Sequence, residues 1–202
     1  MAFDYRYLTL NIMTPFDKTT ITAKFTEYFE HLMNNEYEKA LGFVYAPLFN
    51  FIGKKEMVDG MKKANTGDTT TMLSELIVKS VKPILQSDKE TYGLLDYSFQ
   101  ISIHCPPDTR PAESGDDEDE AQNMSALDFT DKILMAKYGE DNVSTDRLNN
   151  TITAHVTNQS YCIFDPESND WKFLEKKSAM LPLLKNLIPK AIDAEKKLQE
   201  LS

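Results

Sequence analysis

The stretch TYGLLDYSFQISIH, from Thr91 to His104, decides the fold class because its residues alternate between apolar and polar. Successive side chains of a β-strand point to opposite faces of the sheet. One face carries Leu95, Tyr97, Phe99, Ile101 and Ile103, and the other carries Asp96, Ser98, Gln100 and Ser102. The alternation therefore predicts a long strand with one buried face and one largely solvated face.

Similar stretches on both sides extend the sheet. Residues 70–85 predict a second long strand, joined to the first by a polar hairpin turn. Two more strands are predicted in residues 148–165 and 171–177. Within residues 148–165 the apolar residues change from even-numbered to odd-numbered positions. This change predicts a β-bulge near Asn158 or Gln159.

Helical spacing dominates the chain before these strands. From residue 20 onward, apolar residues recur at steps of three and four: Ile21, Phe25, Tyr28, Phe29 and Leu32. This spacing is the stripe of an amphipathic helix, and two shorter helices are predicted in residues 36–44 and 54–64. Helices followed by an antiparallel sheet indicate an α+β protein.

An insertion is predicted over residues 105–145, where two prolines end the strand because proline donates no ladder hydrogen bond. Five consecutive acids at 116–120 follow, in a segment without a large apolar residue. This composition predicts a solvated, flexible loop, with residues 111–122 mobile and dispensable. The loop lacks the ligand spacing of a calcium site. Helical spacing resumes over residues 126–138.

The C-terminal residues 178–202 predict a further helix. Its apolar stripe consists of Leu184, Leu187, Ile188 and Ile192. Pro182 is tolerated in the first turn, whereas Pro189 is expected to kink or interrupt the helix. Residues 1–202 contain no internal repeat and are predicted to form one domain around a single core.

Composition argues against several classes of function. The chain has 32 acidic and 22 basic residues, a net charge of -10, and its basic pairs are interleaved with acids. Nucleic acid is therefore not an expected partner. The 7 glycines form no phosphate-binding motif. No stretch approaches the roughly eighteen unbroken apolar residues of a membrane span, so no membrane association is expected.

The two cysteines and the N-terminus predict the compartment. Cys105 and Cys162 have no partner at metal-binding spacing and are predicted to be reduced and buried. The first twenty residues alternate like a strand, without the basic and apolar regions of a signal peptide. We therefore expect a cytoplasmic protein.

The order of elements resembles the nuclear transport factor 2-like superfamily. The resemblance rests on ITAKFTEYFEHLMNNEYEKALGFVYAPLFNFI (21–52), MAKYGEDNVSTD (135–146) and NDWKFLEKKSAMLPLLKNLIPKAI (169–192), and it covers roughly residues 15–195. Similarity is greatest to an uncharacterised bacterial branch. The resemblance implies a cone, in which N-terminal helices pack in the concavity of a strongly curved, mainly antiparallel sheet. The inserted helix and the C-terminal helix are departures, and the latter is a candidate to occupy or cover the pocket.

Members of that superfamily include binding proteins, ketosteroid isomerase and SnoaL-like cyclases, so a pocket inside the cone is implied. Aromatic residues with one polar tip suit a small hydrophobic, ring-shaped ligand. The candidate pocket residues are Tyr28, Tyr45, Tyr97, Phe99, Tyr161 and Trp171. Packing of these residues in the core is the favoured interpretation, and a ligand pocket is the alternative.

The sequence offers no catalytic, metal-binding or cofactor-binding set. His31, His104 and His155 lie on different predicted elements, and nothing in their spacing brings them together. An enzyme would need a polar residue inside the cone with a shifted pKa, for which Asp96 and His155 are the candidates.

Three functions follow from these observations. We expect foremost a non-catalytic small-molecule-binding or protein-interaction domain. The alternatives are a small isomerase, dehydratase or cyclase, and a structural or regulatory subunit whose pocket is filled by its own side chains. A homodimer is expected through the outer face of the long strands, with Tyr97 and Phe99 lining the cone and Asp96 in the interface.

Overall fold

The structure, a computed structural model, describes residues 16–63, 65, 69–87, 90–107 and 124–200. These residues form six α-helices: α1 (Lys18–Met33), α2 (Tyr37–Ala40), α3 (Lys54–Lys63), α4 (Ala126–Tyr138), α5 (Leu181–Leu187) and α6 (Pro189–Glu200). They also form five strands: β1 (Thr70–Gln86), β2 (Thr91–His104), β3 (Val143–Asp146), β4 (Thr151–Asp165) and β5 (Asp170–Glu175). The predicted α+β class, with helices before and after an antiparallel sheet, is confirmed.

The alternating strand β2 is paired on both sides and lies in the middle of the sheet. It runs antiparallel to β1 and β4, and β3 and β5 both pair with β4. Residues directly opposite each other in such ladders point to the same face. The face that carries Leu95, Tyr97 and Phe99 is called the inner face below, and the other is the outer face. β1 contains three register shifts, which bend and twist a strand.

α1 covers one end of the inner face. Asp17 caps the helix, because its carboxylate accepts a hydrogen bond from the backbone N–H of Thr19 at 2.9 Å. The apolar stripe of the helix buries Ile21, Phe25, Tyr28 and Phe29. The ring of Phe25 lies 4.7 Å from that of Tyr97, so the stripe packs directly on β2.

The segment after α2 leaves the helical path to pair with β5. The Phe173 backbone N–H donates to the Phe43 carbonyl at 2.8 Å, and the Tyr45 N–H donates to the Phe173 carbonyl at 3.2 Å. These two bonds form a short parallel bridge at Val44. The second helix is therefore shorter than predicted, because its last residues pair with a strand instead.

α4 covers the other end of the inner face. Its Leu127 and Leu134 belong to a buried cluster with Cys105, Ile152, Ala154 and Val156. Gly139 ends the helix with a φ of 87°, a value that favours glycine. The inserted helix thus belongs to the packed body of the protein.

The C-terminal segment forms two helices on the outer face. The helical segment is interrupted at Ile188, as Pro189 predicts, because proline has no N–H to continue the hydrogen-bond pattern. Tyr161, opposite Leu94 in the ladder, donates its hydroxyl hydrogen bond to Glu195 of α6. These helices cover the sheet from behind, whereas α1 and α4 cover its inner face.

Two details of the sheet differ from the expectations. The register between β2 and β4 is continuous through Asn158 and Gln159, so the predicted bulge is wrong. Residues 160–163 are all buried, because helices cover this end of the sheet on both faces, and this explains the change of parity. β3 lies within the predicted insertion, and its four residues are too few to show alternation.

Several further expectations concern compartment and mobility. Cys105 and Cys162 are buried and unpaired, as predicted. Within the described ranges, no helix combines the length and the apolar character that crossing a membrane requires. The acidic run and the predicted mobile segment 111–122 lie outside the described residues, as does the alternating N-terminus to residue 15.

Candidate functional site

A cavity of about 560 Å³ lies on the inner face of the sheet, between α1 and α4, and is called the inner cavity below. Its apolar wall consists of Phe29, Leu32, Leu73, Phe99 and Ile101. The segment that joins β5 to α5 closes one side through Ser178 and Ala179. The volume falls within the range of about 300–1,000 Å³ that is typical of small-molecule sites.

Aromatic rings form the middle of the apolar wall. Phe99 stacks on Tyr97 with 5.8 Å between ring centroids, and Phe29 meets Phe99 edge-on at 5.1 Å. Tyr97 and Phe99 point inward because they alternate on β2, and Phe29 comes from the stripe of α1. Phe99 is partly exposed, so its ring offers a flat apolar surface to a ligand.

The polar end of the inner cavity consists of Tyr28, Tyr97, Asn158 and Glu175. Burial raises the pKa of Tyr97 above its usual range, and the negative charge of Glu175 raises it further. Burial also raises the pKa of Tyr28, again with a contribution from Glu175. Both hydroxyls therefore stay protonated at neutral pH. The Tyr97 hydroxyl is already hydrogen-bonded to Asn158 and Glu175.

Three charged side chains border the inner cavity: Lys137 of α4, Glu175 of β5 and Lys177 just after β5. Lys177 and Glu175 form an ion pair. The Nζ of Lys137 lies 5.0 Å from the ring centroid of Tyr138, and no described carboxylate is paired with it. The border of the cavity thus has two positive charges and one negative charge.

Three of the six candidate pocket residues line this cavity, namely Tyr28, Tyr97 and Phe99. The other three lie elsewhere. Trp171 packs edge-on against Phe16 at 5.7 Å and Phe164 at 5.5 Å and is 3% exposed, so it is a core residue.

Tyr161 and Tyr45 do not line the inner cavity. The parity of β4 turns Tyr161 to the outer face, where its hydroxyl bonds to Glu195. Tyr45 is partly buried near Asp165 and Glu90, and burial, then these charges, raise its pKa. Neither hydroxyl joins the polar end formed by Tyr28 and Tyr97.

Sequence reasoning missed Asn158, Glu175, Lys137 and Lys177. Asn158 lies opposite Tyr97 and Glu175 lies opposite Ser160, so both inward positions follow from the register. A polar residue at an inward position of a strand was the available signal for both. The two lysines carry no such signal, because their place at the cavity depends on how α4 and the segment after β5 pack.

The candidates for an enzyme lie on the outer face. Asp96 accepts hydrogen bonds from Ser80 and from Gln159. Burial opposes ionisation, but these bonds and nearby lysines outweigh it, so the pKa of Asp96 lies below its usual value. His155 is exposed. It lies opposite Gln100, which points to the outer face.

The histidines do not converge. His31 bonds to Glu36 at 2.6 Å, and His104 lies 3.3 Å from the Thr151 hydroxyl. Within the part of the chain that the structure describes, no three His, Cys, Asp or Glu side chains are grouped to hold a metal ion. Comparisons with protein-family models, curated proteins and solved structures find no match to this chain. The function is therefore inferred from the residues themselves.

Proposed function

We propose that this protein is a non-catalytic binding domain whose inner cavity takes a small hydrophobic molecule. The observation that carries the proposal is the cavity of about 560 Å³, with aromatic and aliphatic walls and one polar end. Apolar walls supply most of the affinity of such sites, and a few polar groups fix the orientation of the ligand. The stacked pair Tyr97 and Phe99 fits a ligand with a flat ring.

The proposal also includes a superfamily, a cellular location and an oligomeric state. Helices on the inner face of a bent antiparallel sheet support membership of the nuclear transport factor 2-like superfamily. Buried, unpaired Cys105 and Cys162 support a cytoplasmic location. The part of the outer face around Ser98 and Gln100 is partly exposed and is the surface available for the proposed homodimer.

The alternative functions are ranked by the contents of the cavity. An open volume of this size favours binding over a structural subunit with a filled pocket. An isomerase, dehydratase or cyclase would depend on Glu175, the carboxylate that borders the cavity beside Tyr28 and Tyr97. Glu175 is already engaged by its ion pair with Lys177, so binding remains the proposal.

A neutral fluorescent probe tests the cavity. N-phenyl-1-naphthylamine becomes fluorescent in apolar surroundings, and we expect it to bind the protein. Leu73→Trp places a large ring in the cavity and should weaken probe binding about tenfold or more. The matched control is Ile77→Trp, because Ile77 lies on the same strand but faces outward and is 59% exposed.

Both variants are first compared with the parent protein by circular dichroism and thermal melting. Equal probe binding in all three folded proteins would contradict the proposal, as would absence of probe binding to the parent protein.

A further inference from the structure

We propose that the inner cavity binds amphipathic carboxylates, with the apolar body against the aromatic wall and the carboxylate at Lys137 and Lys177. The inference rests on the proposed binding function and adds the charge of the ligand. An aromatic acid and a fatty acid share this chemistry, and the experiment below includes one of each.

The sign of the charge at the cavity is opposite to that of the chain. The protein carries a net charge of -10, whereas the cavity is bordered by two lysines and one glutamate. Lys137 comes from α4 and Lys177 from the segment after β5, so two separate elements bring positive charge to one opening. A local reversal of this kind attracts an anion that the rest of the surface would repel.

The two lysines differ in how their charge is balanced. Glu175 already pairs with Lys177. Lys137 has no carboxylate partner among the described residues, and its contact is the ring of Tyr138. A ligand carboxylate would supply the missing partner. A ligand amine would meet a carboxylate that already has a lysine bound to it.

The apolar wall of the inner cavity lies next to Lys137, the lysine without a carboxylate partner among the described residues. Tyr138 packs on the same buried cluster as Phe99 and Ile101, so Lys137 extends beside this part of the wall. Glu175 lies near the hydroxyls of Tyr28 and Tyr97, since its charge acts on both. A carboxylate at Lys137 is therefore next to the apolar wall and away from the polar end, where the Tyr97 hydroxyl is hydrogen-bonded to Glu175.

The experiment compares three ligands of equal shape and different charge. Naphthalene-2-carboxylate, naphthalene-2-carboxamide and 2-naphthylmethylamine are titrated at neutral pH against bound N-phenyl-1-naphthylamine, and displacement gives each Kd. We expect the carboxylate to bind about two- to fivefold more tightly than the carboxamide, the range of a partly exposed ion pair, and the amine to bind weakest. Salt at 0.5 M should reduce the difference. Decanoate is titrated in parallel, and binding of either carboxylate supports the proposal and identifies the apolar body.

Charge variants assign the effect to residues. Lys137→Gln should weaken carboxylate binding two- to fivefold and leave carboxamide binding unchanged. Glu175→Gln should strengthen carboxylate binding, because it releases Lys177 and removes a negative charge. The matched control is Lys132→Gln, which makes the same charge change on an exposed position of α4 that does not line the cavity.

The outcomes separate this inference from the proposed function. If the carboxamide or the amine binds as tightly as the carboxylate, the charge inference is wrong and the binding function stands. The same conclusion follows if Lys132→Gln and Lys137→Gln have equal effects, or if the neutral probe binds but no carboxylate displaces it. If the probe itself does not bind, both proposals fall.

Discussion

At the scale of single residues, Gly93 shows how closely the inner face of β2 is packed. A Cβ atom at this position would lie 2.5 Å from a ring carbon of Phe16 and 2.7 Å from the sulfur of Cys162. Gly93→Ala should therefore lower the free energy of unfolding by about 1–3 kcal/mol, as overpacking of a core usually does. Urea denaturation of the variant and the parent protein measures the difference.

Gly60 provides the matched control for that substitution. It lies on the exposed side of α3, and a Cβ atom there meets no other atom within 4 Å. Gly60→Ala should raise the free energy of unfolding by about 0.5–1 kcal/mol, because alanine favours a helix. A Gly93→Ala variant as stable as the parent would contradict the close packing of Phe16 on β2.

At the scale of elements, one buried carboxylate contributes to holding α6 on the outer face, beside the buried side chains of Ala191 and Ile192. Glu195 is 8% exposed and accepts hydrogen bonds from the Tyr161 hydroxyl and from Lys176. Glu195→Ala should lower the free energy of unfolding by about 1–3 kcal/mol, because it leaves the Tyr161 hydroxyl without its acceptor and leaves Lys176 with Gln159 alone. The control is Asp193→Ala on the exposed side of the same helix, for which a change within about 0.5 kcal/mol is expected. Equal effects of the two substitutions would show that the buried bonds do not hold the helix.

The elements also show what sequence patterns can and cannot predict. α1 and β2 were predictable because the periods of three to four and of two run through most of their length. The position of the C-terminal helices was not, because their stripe of Leu184, Ile188 and Ile192 fits an inner or an outer face equally well. The outward direction of the Tyr161 side chain could not be predicted either, because residues 160–163 are all buried and show no alternation.

At the scale of the whole molecule, the outer face is divided into two parts. α5 and α6 cover the end near Leu94 and Tyr161, and the remaining part presents Ser98, Gln100 and Thr157. A homodimer would use this remaining part, and light scattering at micromolar concentration should give twice the mass of the chain. Ser98→Arg at its centre should return the mass to that of one chain, whereas Lys132→Gln should not. A single-chain mass for the parent protein would refute the dimer.

The candidate site is also a property of the whole molecule. Tyr97 and Phe99 were predictable as cavity residues because they alternate inward on one strand. Glu175 and Lys137 were not, because they are 38 residues apart in the sequence and meet the cavity through separate packing contacts. Only the packed fold determines which charges border the opening.

The hydrogen bonds between Phe43 and Phe173 have a consequence for the order in which the chain acquires structure. They join positions 130 residues apart, and the ring of Phe25 also rests on Phe173 at 5.0 Å. Contacts of such long sequence separation slow folding, because a large loop must close before they form. During synthesis the first helix leaves the ribosome long before the strand that completes its core. The part of its apolar stripe that packs on Phe173 stays uncovered until β5 has emerged, so folding is completed late and the nascent chain is exposed to aggregation over that interval.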